Sequence, residues 1–237
     1  LVTPNWTVQL PNGHYAGGDP DGFMPRDDIV AHLVDYAEGL GAPVREGVEV
    51  SRLRANDGGG LLLTTSSGDV LARHVVLASG AYQKPHRPAG AGQLPASLHT
   101  IDAEEYTNAD ALPEGKVLIV GSGQTGCQLA EELLQAGRDV FLACGRAPWG
   151  PRRLEGRDVV AWIAETPFLE MTLADLPSPM ARLGANVQAT GRDGGHDLHY
   201  RTLQASGANL VGRLIGAEDG IAHLAPDLAE SVAFGDA

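Results

Sequence analysis

The chain of 237 residues is long enough for one large domain or two small ones. Its 17 Lys and Arg residues against 30 Asp and Glu residues give a net charge of -13, which argues against non-specific nucleic-acid binding. Two cysteines without a CxxC pair supply neither a disulfide framework nor metal-site spacing, so we expect no metal. Because no run of 18 apolar residues occurs, we expect no membrane span, and a cytoplasmic location with reduced thiols.

The first 80 residues combine a loop-rich start, one helix and a series of short strands. Residues 1–25 are rich in Pro, Gly, Asn and Asp, which is the composition of loops. Residues 25–41 predict a helix, because apolar side chains recur every three or four positions between a starting proline and closing glycines. Three strand-like runs separated by ANDGGG and SSGD then predict a β-meander. The run HVVLASG, residues 74–80, predicts a short buried parallel strand.

The second half begins with an irregular connection and continues with alternating strands and helices. Four prolines between positions 83 and 115 predict a break between two folding units: Pro85, Pro88, Pro95 and Pro113. Residues 116–144 predict strand, turn, helix and strand in that order. Residues 156–169 predict a helix, and residues 207–226 predict one or two strands joined by a glycine-rich turn.

The run VGSGQTG, residues 120–126, has the GxGxxG spacing of a dinucleotide-binding turn. The first glycine allows the tight turn, the second lets the backbone approach a pyrophosphate, and the third lets the helix pack closely on the strand. Because the motif follows a strand and opens a helix, helix amides are expected to face the phosphates. The predicted cofactor-binding residues of this turn are Gly121, Ser122, Gly123, Gln124, Thr125 and Gly126.

The end of the next strand favours NADP over NAD. An NAD site usually has an acidic residue about 20 positions after the motif, where it binds the ribose hydroxyls. This chain has LACGRAPWGPRR there, with Arg146 and no acid. A guanidinium suits a 2′-phosphate through charge-assisted bonds, so Arg146 is predicted to bind it. Arg152 and Arg153 are either assistants in this role or solvated surface residues.

Several stretches together resemble the flavin-containing monooxygenase-like group, including its bacterial branch of flavoproteins with two dinucleotide-binding domains. The resemblance rests on the stretches VVLASGAYQKPHRP, LHTIDAEEY and GKVLIVGSGQTGCQLAEELLQAGRDVFLACGRAP, with LVTPNW at the start. In that group a nicotinamide domain is inserted into an FAD domain. The resemblance implies an α/β fold with three parts: a partial FAD-binding-type domain with the β-meander at 1–95, a connection at 96–115, and a Rossmann-like NAD(P)-binding domain at 116–237.

The resemblance also implies an activity and further site residues. NADPH reduces FAD by hydride transfer, and the reduced flavin uses molecular oxygen to oxygenate a small-molecule substrate. Ser79 and Gly80 are implied contacts of FAD or of the interdomain hinge. Asn5 is the candidate catalytic residue, beside flavin or nicotinamide, with a plain loop role as the alternative. The oligomeric state stays open.

The sequence departs from the group, and three other functions remain open. No GxGxxG precedes Gly121, the chain starts at Leu1, and no second ATG-like segment follows, so we expect an internal piece of a longer enzyme. One alternative is a nucleotide-binding fragment without catalysis of its own. Another is a simple NAD(P)-dependent dehydrogenase. A pyridine nucleotide–disulfide reductase is disfavoured because the redox cysteine pair is missing.

Overall fold

The computed structural model describes residues 1–80, 84–179, 181 and 188–236. Contacts within the chain define two compact units, one of Leu1–Ile29 with Pro85–Ala237 and one of Val30–Lys84. The sequence-based boundaries at 95 and 115 refer to cofactor domains and stay a prediction. Among the described residues, none of the helices is both long and apolar enough for a membrane crossing. Nor do those residues include a group of His, Cys, Asp or Glu side chains arranged to hold a metal ion.

The unit Val30–Lys84 contains most of the first helix and an antiparallel sheet. Helix α1 spans Arg26–Gly39, within the range predicted at 25–41, and has two aspartates in its first turn. Strands β1 (Val50–Ala55), β2 (Leu61–Thr65) and β3 (Val70–Ala72) pair in sequence order. Both pairings are antiparallel, which confirms the predicted β-meander.

The prediction of a buried strand at residues 74–80 is wrong. These residues have no regular secondary structure, and Val76 and Leu77 are 87% and 79% exposed. An apolar run becomes a buried parallel strand only when other strands pair with it, and no strand of the described residues does so. Residues 81–83, which continue the VVLASGAYQKPHRP run, lie outside the described residues.

The larger unit is built around a parallel sheet and one long helix. Strand β4 (Val117–Val120), helix α2 (Gln124–Gln135) and strand β5 (Val140–Ala143) confirm the predicted strand–turn–helix–strand order. Helix α2 buries Cys127, Ala130 and Leu133. Burial of this apolar face stabilises the helix against the sheet. This arrangement, with the third strand described below, confirms the α/β, Rossmann-like class.

The region after β5 is more divided than its sequence predicts. Strands β6 (Arg153–Leu154) and β7 (Arg157–Asp158) form a hairpin before helix α3 (Val159–Ala164). The observed helix α3 is therefore shorter than the single helix predicted at 156–169. A separate 3-10 turn begins at Pro167, because proline lacks an amide hydrogen and disfavours helical backbone at the preceding residue.

The last part of the chain completes the sheet. Helix α4 (Tyr200–Ala205) leads to strand β8 (Asn209–Val211), which pairs with β5 to give the parallel order β4-β5-β8. Strands β9 (Leu214–Glu218) and β10 (Ile221–Leu224) form a hairpin, and helix α5 (Leu228–Asp236) follows. Residues 207–226 thus hold three strands, one more than predicted.

Candidate functional site

A cavity of about 620 Å³ lies at the carboxyl ends of the parallel strands. Ligands of open α/β sheets bind at this edge, where the loops after neighbouring strands converge. Its walls come from the glycine turn, from the segment after β5, from the start of β9 and from the proline-rich connection. The lining residues are His86, Pro88, Ala89, Val120, Gly121, Ser122, Gly123, Ala143, Gly145, Arg146, Ala147, Pro148, Arg213, Leu214 and Ile215.

The glycine turn has the geometry that its spacing predicts. Gly121 has a φ of +109°, a backbone region that residues with a side chain rarely adopt. A Cβ added to Gly126 would lie 1.9 Å from the Gly121 carbonyl oxygen, so the helix packs against the turn without room for a methyl group. Gly123 is the N-cap of α2, and a Cβ there would meet no atom within 4 Å. The open space beside Gly123 is where a ligand can approach the backbone.

Only the first part of the predicted turn lines the cavity. Gly121, Ser122 and Gly123 do so, whereas Gln124, Thr125 and Gly126 are absent from the lining. Instead, the Gln124 side chain pairs with the backbone of Ala189: its Nε2 donates to the Ala189 carbonyl oxygen, and its Oε1 accepts from the Ala189 N–H at 2.7 Å. Its side chain therefore holds a distant segment against the start of α2.

Ser122 also forms hydrogen bonds that connect the glycine turn to distant segments. The side chain is buried, and its hydroxyl forms hydrogen bonds with the Tyr200 hydroxyl at 2.6 Å and with the Gly145 N–H at 2.9 Å. Its carbonyl oxygen accepts from Gln188 Nε2 at 2.6 Å. No local pattern predicts these partners, because each lies more than 20 positions away and the residue types are common.

Basic side chains border the cavity, and none of the lining residues in the described part of the chain carries a carboxylate. Arg146 is exposed and forms no ion pair with the residues that the structure describes. Arg213, which was not predicted, lines the cavity, and its Nε lies 2.5 Å from Asp227 Oδ2. The hydrogen bond from Arg213 lowers the pKa of Asp227, which therefore stays ionised. In a chain with a net charge of -13, this cavity is a local positive site.

The family is established by comparison with known proteins. Residues 21–178, more than half of the chain, match the family described as pyridine nucleotide-disulphide oxidoreductase. The chain belongs to this family. Membership confirms the predicted kinship with pyridine nucleotide oxidoreductases.

Individual relatives are oxidoreductases of greater length. The chain is 34% identical over 172 residues to an uncharacterised CzcO-like oxidoreductase of Geobacillus kaustophilus, covering 72% of this chain and 49% of that protein. It is 30% identical over 139 residues to the monooxygenase aurF of Gibberella zeae, covering 53% of this chain and 25% of that protein. The chain thus spans about half the length of the first relative. A solved flavin monooxygenase of Stenotrophomonas maltophilia shares the fold, with 17% identity and a TM-score of 0.55 over 94% of this chain and 61% of that one.

Arg152 and Arg153 do not line the cavity of this family member. The Arg152 side chain is 2% exposed, and its Nη2 lies 2.8 Å from Asp158 Oδ2. Its guanidinium also lies over the Phe23 ring, 4.5 Å from the centroid. Burial lowers the pKa of Arg152, and the Asp158 carboxylate opposes that shift. Arg153 donates to the carbonyl oxygens of residues 194 and 195. Both expectations for Arg152 were therefore wrong, because it anchors the N-terminal segment internally.

The remaining candidate residues are Asn5, Ser79 and Gly80. The Asn5 side chain is buried; its Nδ2 donates to the Asp19 carbonyl oxygen at 2.9 Å, and its Oδ1 accepts from the Met24 N–H at 2.6 Å. Its carboxamide therefore has a structural role in the N-terminal loop. Ser79 and Gly80 belong to the unit Val30–Lys84 and are exposed. Their contact with FAD stays a prediction.

The two cysteines of this family member are unsuited to disulfide chemistry. Both thiols are free and buried. Burial raises the pKa of Cys127 and of Cys144 to about 12, so the reactive thiolate is scarce at neutral pH. These thiols therefore serve as small core residues.

Proposed function

We propose that this chain supplies the NADPH site of an FAD-dependent oxidoreductase that acts as a monooxygenase. The observation that carries the proposal is the cavity at the strand ends, which joins the glycine turn to Arg146 and has no carboxylate residue in its lining. A site for NAD would place an acidic side chain at this position, because the ribose hydroxyls donate hydrogen bonds to it.

The residues present fit the pyrophosphate of a dinucleotide. Gly121 and Gly123 offer backbone without side chains, and the N-terminus of the 12-residue helix α2 starts next to them. Unpaired amides and the helix dipole favour an anion at this point. Pro88, Leu214 and Ile215 give the cavity an apolar surface against which an adenine ring can pack.

The residues also fit the additional phosphate of NADPH. Arg146 follows the end of β5 by three positions and projects from a segment that lines the cavity. Its guanidinium has no competing carboxylate among the described residues, so its donors are available to a 2′-phosphate. Arg213 adds a second positive charge on the neighbouring segment, partly balanced by Asp227.

The flavin and oxygen chemistry belongs to the whole protein. Bound NADPH would supply the hydride, and FAD held by the whole protein would supply the chemistry by which oxygen is transferred to a small-molecule substrate. The described residues around Ser79 and Gly80 do not form the strand–turn–helix cradle that a flavin nucleotide requires. What this chain contributes is binding and orientation of the reductant.

Replacing Arg146 with alanine is expected to weaken NADPH binding by about 30-fold, because a charge-assisted phosphate contact contributes about 2 kcal/mol. NADH affinity should change by less than about twofold, since NADH lacks the 2′-phosphate. Titration calorimetry of the purified wild-type and R146A proteins with both nucleotides measures the two effects.

The matched control for this experiment is Arg26→Ala. Arg26 is also an exposed arginine, but it pairs with Asp27 and is absent from the cavity lining. That variant should bind both nucleotides as the wild type does. Equal loss of NADPH and NADH affinity in R146A, or no loss of either, would contradict the assignment. If NADPH binds but is not oxidised when FAD and oxygen are supplied, the chain is a nucleotide-binding module instead.

A further inference from the structure

Three hydrogen bonds form a closed ring between the glycine turn, the segment after β5 and helix α4. The Gly145 N–H donates to Ser122 Oγ at 2.9 Å, and the Tyr200 hydroxyl donates to the Gly145 carbonyl oxygen at 2.5 Å. The Ser122 and Tyr200 hydroxyl oxygens lie 2.6 Å apart. Because the single phenol hydrogen is used on Gly145, Ser122 must be the donor in that last bond. Each donor hydrogen in the ring therefore has its own acceptor.

The two side chains of the ring are shielded from water, which makes the completeness of the ring important. Tyr200 is 0% exposed and Ser122 is 3% exposed. Burial raises the pKa of Tyr200, so the phenol stays protonated and able to donate. The edge of the Tyr200 ring packs against Trp149, with centroids 4.9 Å apart. In such an environment hydrogen bonds strengthen one another, and a donor or acceptor that loses its partner is strongly destabilising.

The ring fixes the two loops that the proposed nucleotide site requires. Ser122 is the second residue of the glycine turn, which faces the pyrophosphate position. Gly145 directly precedes Arg146 and has no side chain, so its own backbone preferences leave the direction of Arg146 loosely defined. Both the N–H and the carbonyl oxygen of Gly145 are held in the ring. The position of Arg146 relative to the glycine turn is thereby set.

We propose that Tyr200 is a positioning residue for nucleotide selectivity, whose hydroxyl acts through Gly145 to direct Arg146 toward the 2′-phosphate. Tyr200 is absent from the cavity lining, so it acts without touching the ligand. The inference rests on the proposed NADPH site. It adds that the preference for a 2′-phosphate depends on a hydroxyl contributed by α4, more than 50 positions after Arg146 in the chain.

Removal of this single hydroxyl in Tyr200→Phe tests the inference. The probes are 2′,5′-ADP, which carries the 2′-phosphate, and ADP, which does not. We expect the affinity for 2′,5′-ADP to fall by about tenfold and that for ADP to change by less than about twofold, measured by titration calorimetry on the purified protein. The matched control is Tyr106→Phe, because that phenol also donates a hydrogen bond, to Glu132 Oε1 at 2.8 Å, but lies outside the cavity lining. Y106F should retain both affinities.

A double variant separates positioning from general stabilisation. If Tyr200 acts through Arg146, Y200F should not change the affinity for 2′,5′-ADP when Arg146 is already alanine. Equal weakening of both probes in Y200F, unchanged selectivity, or the same tenfold loss in the Arg146→Ala background would overturn the inference. If Y200F does not fold, Ser122→Ala opens the same ring and must lower the ratio of the affinities for 2′,5′-ADP and ADP, whatever its effect on ADP alone. A wild type without preference for 2′,5′-ADP would instead refute the NADPH site itself, before any variant is made.

Discussion

Replacing Gly126 with alanine is expected to destabilise the protein by about 3 kcal/mol and to weaken nucleotide binding by about tenfold or more. The added methyl group would lie 1.9 Å from the Gly121 carbonyl oxygen, a separation that non-bonded atoms do not tolerate. Helix α2 would have to move away from β4 and from the turn. That movement displaces the helix amides from the pyrophosphate position, so stability and binding should fall together. Urea unfolding and nucleotide titration measure the two effects.

Gly123→Ala in the same motif provides the matched control. A Cβ at Gly123 meets no atom within 4 Å, and its φ of -76° suits any residue. The free energy of unfolding should therefore change by less than about 1 kcal/mol, while a methyl group in the ligand's path still weakens binding. If G126A proves as stable as G123A, the close packing of helix on turn is not essential to the fold.

The largest effect on stability outside the glycine turn is expected for Asp158→Asn. This change leaves the Arg152 guanidinium, 2% exposed, without its ionised partner at 2.8 Å. Loss of one member of a buried ion pair costs about 3 kcal/mol or more, since the remaining charge stays desolvated. Asparagine keeps an oxygen for the Val160 N–H that caps α3, so the cap is retained while the ion pair and the hydrogen bond from Arg152 Nε are lost. The free energy of unfolding in urea is the measurement.

An exposed pair of the same chemistry is the reference for this result. Asp27 is 83% exposed and its carboxylate lies 3.0 Å from the guanidinium of Arg26. Asp27→Asn should leave the unfolding midpoint unchanged, because exposed pairs are screened by water. A midpoint for D158N that also matches the wild type would show that the buried pair does not hold the N-terminal segment.

The local features of this chain were predictable because they depend on short spacings. Glycines at 121 and 126 fix a turn and a helix contact that each involve only a few neighbouring residues. Arg146 was predicted from its distance after the motif, and the structure places it in the cavity lining. Similarly, the turn signals between the first strands defined the β-meander. The assignment of Arg146 to a nucleotide phosphate stays a proposal.

The features that escaped prediction depend on long-range contacts. Ser122 meets Tyr200 across 78 positions, and Arg152 reaches the Val2 carbonyl oxygen across 150. Nothing in the local sequence marks either residue as a partner. The prediction of a buried strand at 74–80 failed for a related reason, because an apolar segment is buried only if other strands pair with it. Pairing is a property of the assembled sheet rather than of the segment.

The central claim is that NADPH binds at the carboxyl ends of the parallel strands. A crystal structure of the protein with NADP⁺ bound tests it most directly. We predict that the pyrophosphate lies beside the backbone of Gly121 and Gly123, and that the 2′-phosphate lies about 3 Å from the Arg146 guanidinium. A pyrophosphate bound away from the glycine turn, or a 2′-phosphate that does not contact Arg146, would contradict the claim.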